Sequence, residues 1–275
     1  MKISEVSQEN GACWLPILEK LPFVSRYAKT RGWHYALSWL HRLSGIGLLI
    51  YLILHVYTLS LLQTPDLYNA QMQRMAWPIF VFLSWFAALL VGFHTLNGGR
   101  LVLYELFGQR NDAAMLRWTF SLILLYAAMV GIVMIMKNQS ASPVFFWMAT
   151  LFAGAVAAYA VAARIWKSRH SFFWKLQRIS GAFLFVAAPA YLLFLSLNQG
   201  SAHDAQAAAA RMQGAFVRIV VLAAAASALF HAGYGLFSIV SDYVHSRMAR
   251  TWLTALLVVV FLFLAFLVLK ITLSI

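Results

Sequence analysis

The stretch "SWLHRLSG", Ser38 to Gly45, places a serine, a histidine and an arginine at the start of a long apolar run. A second stretch, "WKLQRISG", Trp174 to Gly181, repeats this pattern 136 residues later and also precedes an apolar run. An arginine, a serine and a glycine coincide when the two stretches are laid over each other. The chain therefore contains an internal repeat whose polar residues stand at the beginning of a helix.

The composition assigns the chain to the membrane proteins. Of its 275 residues, 63% are hydrophobic and 11% are charged, which leaves too little polar surface for a soluble globule. A helix needs about 20 apolar residues to cross a bilayer, and seven such runs occur, without the alternation of barrel strands. We predict an all-α membrane protein with transmembrane helices at about 43–62, 77–96, 118–136, 143–163, 179–197, 219–240 and 252–269.

The net charge of +13 is explained by topology rather than by a nucleic-acid partner. Most lysines and arginines precede the first helix or lie between helices two and three, four and five, or six and seven. The positive-inside rule places these segments and the N-terminus in the cytoplasm, as expected in the cytoplasmic (inner) membrane of bacteria. The single cysteine, Cys13, excludes an intrachain disulfide and an iron–sulfur cluster held by this chain alone.

A second pair of matching stretches extends the repeat. "FHTLNGGRLVLYE" (Phe93 to Glu105) matches "FHAGYGLFSIVSD" (Phe230 to Asp242) at an offset of 137, which aligns His94 with His231. The match predicts two three-helix repeats that cross the membrane in the same direction. One extra helix between them is needed to return the chain to the side on which the first repeat began. The predicted divisions are a cytoplasmic or interfacial N-terminal segment without a signal peptide (1–33), a first repeat (34–138), a linking helix (139–169) and a second repeat (170–275).

His94 and His231 are the candidate ligands of a haem iron. Each lies eleven residues before an acidic residue at the end of its helix, about 16 Å at helical rise, so the two share one depth. An intramembrane histidine is a functional hypothesis by default, and two at one depth can supply both axial nitrogens of a haem. The alternative is tight helix packing through small residues, with each histidine bonded to a backbone carbonyl. We predict one haem b at this pair.

His55 does not have an equivalent histidine in the second repeat, because Tyr191 stands at the corresponding position. A tyrosine does not normally complete a bis-histidine b-type site. We therefore expect His55 to be a hydrogen-bonding core or pore residue rather than the ligand of a second, distal haem.

Polar residues gather at the predicted cytoplasmic ends of two helices: Ser38, His41 and Arg42 in one, Asp242 and Tyr243 in the other. Arginine and histidine can bind haem propionates, and serine and tyrosine hydroxyls can hold a carbonyl oxygen of a small headgroup. Snorkelling charges and an aromatic belt at the bilayer edge are the alternative. The haem predicted beneath these residues favours a binding site.

These residues resemble those of the membrane anchor, a cytochrome b, of the succinate:quinone oxidoreductase family, which includes the fumarate reductases. "SWLHRLSG" resembles the anchor signature Ser-x-x-His-Arg-x-Ser-Gly, and "HTLNGGRLVLYE" resembles His-x3-Gly-x-Arg followed by an acidic residue. "HAGYGLFSIVSDY" is similar to the haem-ligand helix of the second small subunit, and "LQRISG" to the first helix of single-chain anchors. Most one-haem relatives use two separate three-helix chains, which this sequence joins.

The resemblance implies a role in succinate dehydrogenase (complex II). It makes His94 and His231 the axial ligands of the iron, and it places His41, Arg42 and Arg178 near the propionates. Ser38, Arg42, Asp242 and Tyr243 would form a quinone pocket. A partner flavoprotein would oxidise succinate, and an iron–sulfur subunit would pass the electrons on, so this chain would hold neither flavin nor iron–sulfur cluster.

Three alternatives remain open at the level of sequence. One is a fumarate reductase anchor that works in the reverse direction. Another is a transmembrane b-type electron carrier, which requires a second ligand pair at the opposite depth. The third is a cofactor-free transporter or scaffold, since parallel repeats also occur in transporters.

Overall fold

The structure, a computed structural model, describes residues 33–108, 112–136, 141–199 and 203–274. Cys13 and nearly all of the predicted N-terminal segment lie outside the described residues. Within these ranges the secondary structure is helical throughout, with no strand. The α-helices are α1 Trp33–Ser60, α2 Pro65–Met75, α3 Pro78–Phe107, α4 Asp112–Met136, α5 Pro143–Ile165, α6 Phe172–Leu197, α7 Ala205–Met212, α8 Ala215–Tyr243 and α9 Arg247–Ser274.

Seven of these helices are long and apolar enough to cross a membrane: α1, α3, α4, α5, α6, α8 and α9. The predicted all-α class with seven transmembrane helices is confirmed. The helices are longer than the apolar runs from which they were predicted, and α1 begins at Trp33 rather than near residue 43. Ser38, His41 and Arg42, predicted at the start of the first helix, lie within the first three turns of α1.

Local signals explain where several helices begin and end. Proline occupies the first position of α3 and of α5, where its missing amide hydrogen costs nothing. The Ser171 hydroxyl accepts a hydrogen bond from the amide of Trp174 and so caps the start of α6. Gly108, at φ 66°, ends α3 in the left-handed conformation that glycine adopts at low cost.

Helices from both repeats form a central bundle. In the first repeat α1 packs on α3, and in the second α6 packs on α8. The repeats meet where α3 contacts α6 and where α8 contacts α1, while α4, α9 and α5 lie against α3, α8 and α6, respectively. We use the name basic end for the end of the bundle at which α1 and α6 begin and α3 and α8 end. It carries Arg42, Arg164, Arg178, Arg247 and Arg250.

The two short helices α2 and α7 close the opposite end of the bundle. They share a small apolar core that includes Tyr68 and Ala208. The Ala205 amide donates a hydrogen bond of 3.0 Å to the Asn69 side chain, which ties α7 to α2. Burial raises the pKa of Tyr68 in this core.

Candidate functional site

The rings of His94 and His231 lie next to each other in the middle of the bundle. Their centroids lie 6.2 Å apart, and their planes are nearly perpendicular, at 88°. An imidazole nitrogen sits about 2 Å from a metal that it binds, with the ring centre about 1 Å farther, so two rings on one metal are separated by about 6 Å. The separation in the structure therefore fits two ligands of one iron.

Each of these histidines is oriented by the first helix of its own repeat. Nδ1 of His94 lies 3.1 Å from the carbonyl oxygen of His41, and Nδ1 of His231 lies 3.3 Å from that of Gln177. A carbonyl oxygen only accepts hydrogen bonds, so these contacts form in the tautomer in which Nδ1 carries the proton and Nε2 keeps its lone pair. This is the tautomer that a metal-binding histidine needs, with the second-shell contact that metal ligands usually have. The Ser44 hydroxyl also lies 3.1 Å from Nδ1 of His94, and it donates to the His41 carbonyl, which leaves its oxygen able to accept from that nitrogen.

The remaining nitrogen, Nε2, is the one that would bind a metal. Both the haem interpretation and simple packing include a bond from histidine to a backbone carbonyl, but only the haem interpretation needs an Nε2 that no other group occupies. Among the described residues, neither Nε2 has a hydrogen-bond partner. The described residues also contain no cluster of three or more histidine, cysteine or acidic side chains placed to hold a metal ion.

Two glycines allow this close contact, and the sequence analysis did not identify their role. A Cβ atom on Gly45 would lie 3.0 Å from Cε1 of His94, and one on Gly181 would lie 3.0 Å from Cε1 of His231. Only a glycine lets each ring lie directly against the neighbouring helix. The glycines of the two His-x3-Gly motifs, Gly98 and Gly235, instead face the side chains of His41 and Gln177.

His41 lies beside the pair of His94 and His231. Its ring stacks on that of His94, with centroids 4.0 Å apart and an angle of 7° between the planes. Its Nδ1 atom is buried and has no hydrogen-bond partner among the described residues. An unpaired buried nitrogen is costly, so a bound group with an acidic or carbonyl oxygen would satisfy it.

The four residues predicted to bind quinone come together at the basic end. Nη1 of Arg42 donates to the Ser38 hydroxyl at 3.2 Å and to the Tyr243 hydroxyl at 3.0 Å, and Nη2 lies 3.5 Å from Oδ2 of Asp242. Trp39 packs against Tyr243, with ring centroids 5.1 Å apart, and was not predicted. We call Ser38, Arg42, Asp242 and Tyr243 the quinone mouth.

The second repeat has an equivalent arrangement that is closed. Arg178 makes two 2.7 Å bonds to the Glu105 carboxylate, one from Nε and one from Nη2. This pair corresponds to Arg42 with Asp242, but Trp174 replaces Ser38 and stacks 4.8 Å from the Arg178 guanidinium. The predicted propionate partner Arg178 is thus engaged by a carboxylate from the other repeat.

His55 lies far from this site, in the opposite half of the bundle. Its Nε2 is hydrogen-bonded to the hydroxyl of Tyr191, and its ring stacks near Tyr51. His55 and Tyr191 occupy corresponding positions in the two repeats, so they meet across the interface between them. The structure gives His55 the hydrogen bond expected of a core residue.

The sequence pattern of the family described as succinate dehydrogenase/fumarate reductase transmembrane subunit matches residues 24–134 and, a second time, residues 157–269. The chain belongs to this family. The two matches of the anchor follow its two repeats, with most of α5 between them. The anchor is also similar to the succinate dehydrogenase 2 membrane subunit SdhC of Mycobacterium tuberculosis, with 33% identity over 100 residues, which are 35% of this chain and 74% of that protein. No solved structure matches the anchor.

The family and the seven apolar helices together make this chain a multi-pass membrane subunit of a succinate dehydrogenase or fumarate reductase. As an anchor subunit it associates with the other subunits of such a complex.

Proposed function

We propose that the anchor binds one haem b between His94 and His231 and reduces quinone at the quinone mouth, as part of succinate dehydrogenase in the tricarboxylic acid cycle. A flavoprotein subunit oxidises succinate, and an iron–sulfur subunit docked at the basic end delivers the electrons. The observation that carries the proposal is repeated at both histidines: a carbonyl contact at Nδ1, and an Nε2 without a hydrogen-bond partner in the part of the chain that the structure describes. The concentration of arginines at the basic end supports a cytoplasmic N-terminus in a bacterial cytoplasmic membrane.

The residues around the histidine pair fit a haem. His94 and His231 would ligate the iron through Nε2, and the buried Nδ1 of His41 would gain a partner from a propionate. Arg42 and Arg178 stand one helix position after His41 and Gln177 and would supply positive charge to the propionates. When bound, the haem supplies a one-electron store close to the quinone.

The quinone mouth is arranged to hold a carbonyl oxygen and to stabilise it when it becomes negatively charged. The Tyr243 hydroxyl and the Arg42 guanidinium are 3.0 Å apart, so both can reach one oxygen. The positive charge of Arg42 stabilises the negatively charged oxygen of the reduced quinone more than the neutral carbonyl oxygen of the oxidised quinone. It therefore promotes electron transfer to the quinone. Asp242 is 52% exposed and lies 3.5 Å from Arg42, so it is placed to orient the guanidinium or to relay a proton between water and the quinone.

The hydrogen-bonded pair of His55 and Tyr191 disfavours the alternative of an electron carrier that spans the bilayer. Such a carrier needs a second ligand pair in that half of the bundle, and the Tyr191 hydroxyl occupies the nitrogen that a haem iron would need.

The test of this proposal is the haem content of the purified complex. A dithionite-reduced minus oxidised spectrum, with pyridine-haemochrome quantitation, is recorded for the wild type and for His94→Ala, His231→Ala and the exposed control His203→Ala. We expect about one b haem per chain, absent in the first two variants and retained in the control. Absence of haem from the wild type, or retention of haem in His94→Ala or His231→Ala, would overturn the assignment of these histidines as the ligand pair.

A further inference from the structure

A groove at the basic end lies between α8 and α9, apart from the residues of the haem and quinone sites. Its volume is about 580 Å³. Its walls combine three hydroxyl side chains, one arginine and two apolar residues: Ser241, Thr251, Thr254, Arg250, Phe237 and Ala255. None of the six takes part in the contacts described above.

The polarity of the groove changes with depth in the membrane. Ser241 stands near the end of α8, and Arg250 stands in the first turn of α9, so both lie at the basic end. Phe237 and Ala255 lie four and five residues farther into the bundle, about 6–8 Å at helical rise. A molecule that fills the groove therefore meets hydrogen-bond donors at one end and an apolar surface at the other.

The donors at the shallow end are free to bind a ligand. Among the described residues, the Arg250 guanidinium and the Ser241 hydroxyl have neither a hydrogen bond nor an ion pair. No acidic side chain of the described residues lines the groove, and the neighbouring Asp242 is engaged by Arg42. Arginine with a hydroxyl donor is a combination that suits the oxygens of a phosphate.

We propose that this groove binds one anionic phospholipid from the leaflet at the basic end. The lipid phosphate lies against Arg250 and Ser241, and an acyl chain runs along Phe237 and Ala255. An amphiphile matches the change of polarity with depth, and a negative headgroup matches the unpaired arginine. A quinone would offer only a neutral headgroup, which gives Arg250 no opposite charge.

The test is a lipid titration of the purified, full-length complex, read by native mass spectrometry. Phosphatidylglycerol and phosphatidylcholine of the same acyl chains are the probes, and inorganic phosphate is the competitor. Arg250→Gln removes the charge, and Thr254→Phe fills the groove with the arginine retained. Arg169→Gln removes an exposed arginine that does not line the groove and is the matched control.

We expect the wild type to bind one phosphatidylglycerol about five- to tenfold more tightly than phosphatidylcholine, as one interfacial arginine supports. Arg250→Gln should abolish this preference, Thr254→Phe should weaken binding of both lipids, and Arg169→Gln should leave both unchanged. Equal binding of the two lipids by the wild type, or equal effects of Arg250→Gln and Arg169→Gln, would overturn the proposal. Displacement of the lipid by inorganic phosphate would show a free-anion site, and displacement by a quinone analogue would show a quinone site; either result overturns it.

Discussion

The contact between Gly45 and His94 gives a sharp test of how the haem site is built. In Gly45→Ala the new Cβ would stand 3.0 Å from Cε1 of His94. Carbon atoms pack best at about 3.5–4.0 Å, so the ring must retreat by a few tenths of an ångström. The Nδ1 bond to the His41 carbonyl, now 3.1 Å, would lengthen past the usual hydrogen-bond range.

The expected result is weaker retention of haem. Loss of the hydrogen bond that orients a metal-binding histidine typically lowers metal affinity by about 10–100-fold. We therefore expect Gly45→Ala to release haem at least about tenfold faster than the wild type, since the same bond sets the position of Nε2. The measurement is the transfer of haem from the purified complex to excess apomyoglobin, followed by Soret absorbance.

Gly47→Ala is the matched control. It lies on the same helix, gains the same helix propensity of about 1 kcal/mol, and also brings its Cβ 3.0 Å from a carbon atom. That atom is Cδ1 of Leu90, at the free end of a flexible side chain that can turn aside. We expect wild-type haem retention in this variant. Equal haem loss in both variants, or wild-type retention in Gly45→Ala, would refute the argument.

Three further predictions concern the other polar pairs. Glu105→Gln breaks the bidentate pair with Arg178; because both side chains are partly exposed, we expect a loss of about 1 kcal/mol or less and a fall of a few degrees in the unfolding midpoint. Tyr243→Phe should raise the KM for quinone about fivefold, for the loss of about 1 kcal/mol, at unchanged haem content; an unchanged KM would remove Tyr243 from the quinone mouth. His55→Phe leaves the Tyr191 hydroxyl without a partner and should cost about 1–3 kcal/mol of stability, part of which Tyr191→Phe recovers; haem loss in His55→Phe would instead identify a ligand.

Hydropathy and the repeat together predicted the seven membrane-spanning helices, the all-α class and the matching positions of His94 and His231. They did not predict the helix ends, because the apolar run of α1 excludes its polar first turns. A serine and an arginine in those turns lie inside the helix because the helix continues past the apolar core into the interface, where water can solvate them.

Only the residues of the candidate site that occupy matching positions in the two repeats could be predicted. Matching positions in the two repeats identified the histidines, but a position in sequence does not give the rotation of one helix against another. The contacts of Gly45 and Gly181 with the histidine rings, and the carbonyl of Gln177, depend on that rotation. The same limit applies to Arg178, whose bond to Glu105 joins two repeats and has no local pattern in the sequence.

The linking helix α5 joins the two repeats in one chain, and this affects how the two histidines, one from each repeat, are brought together. Each histidine is oriented inside its own repeat, whereas each arginine–carboxylate pair joins one repeat to the other. In a two-chain anchor those cross pairs would depend on the supply and the encounter of separate subunits. Here α5 holds the halves in a fixed ratio of one to one and at a local concentration of the millimolar order that short tethers give. Closure of the site is therefore an intramolecular step, which dilution in the membrane does not reverse.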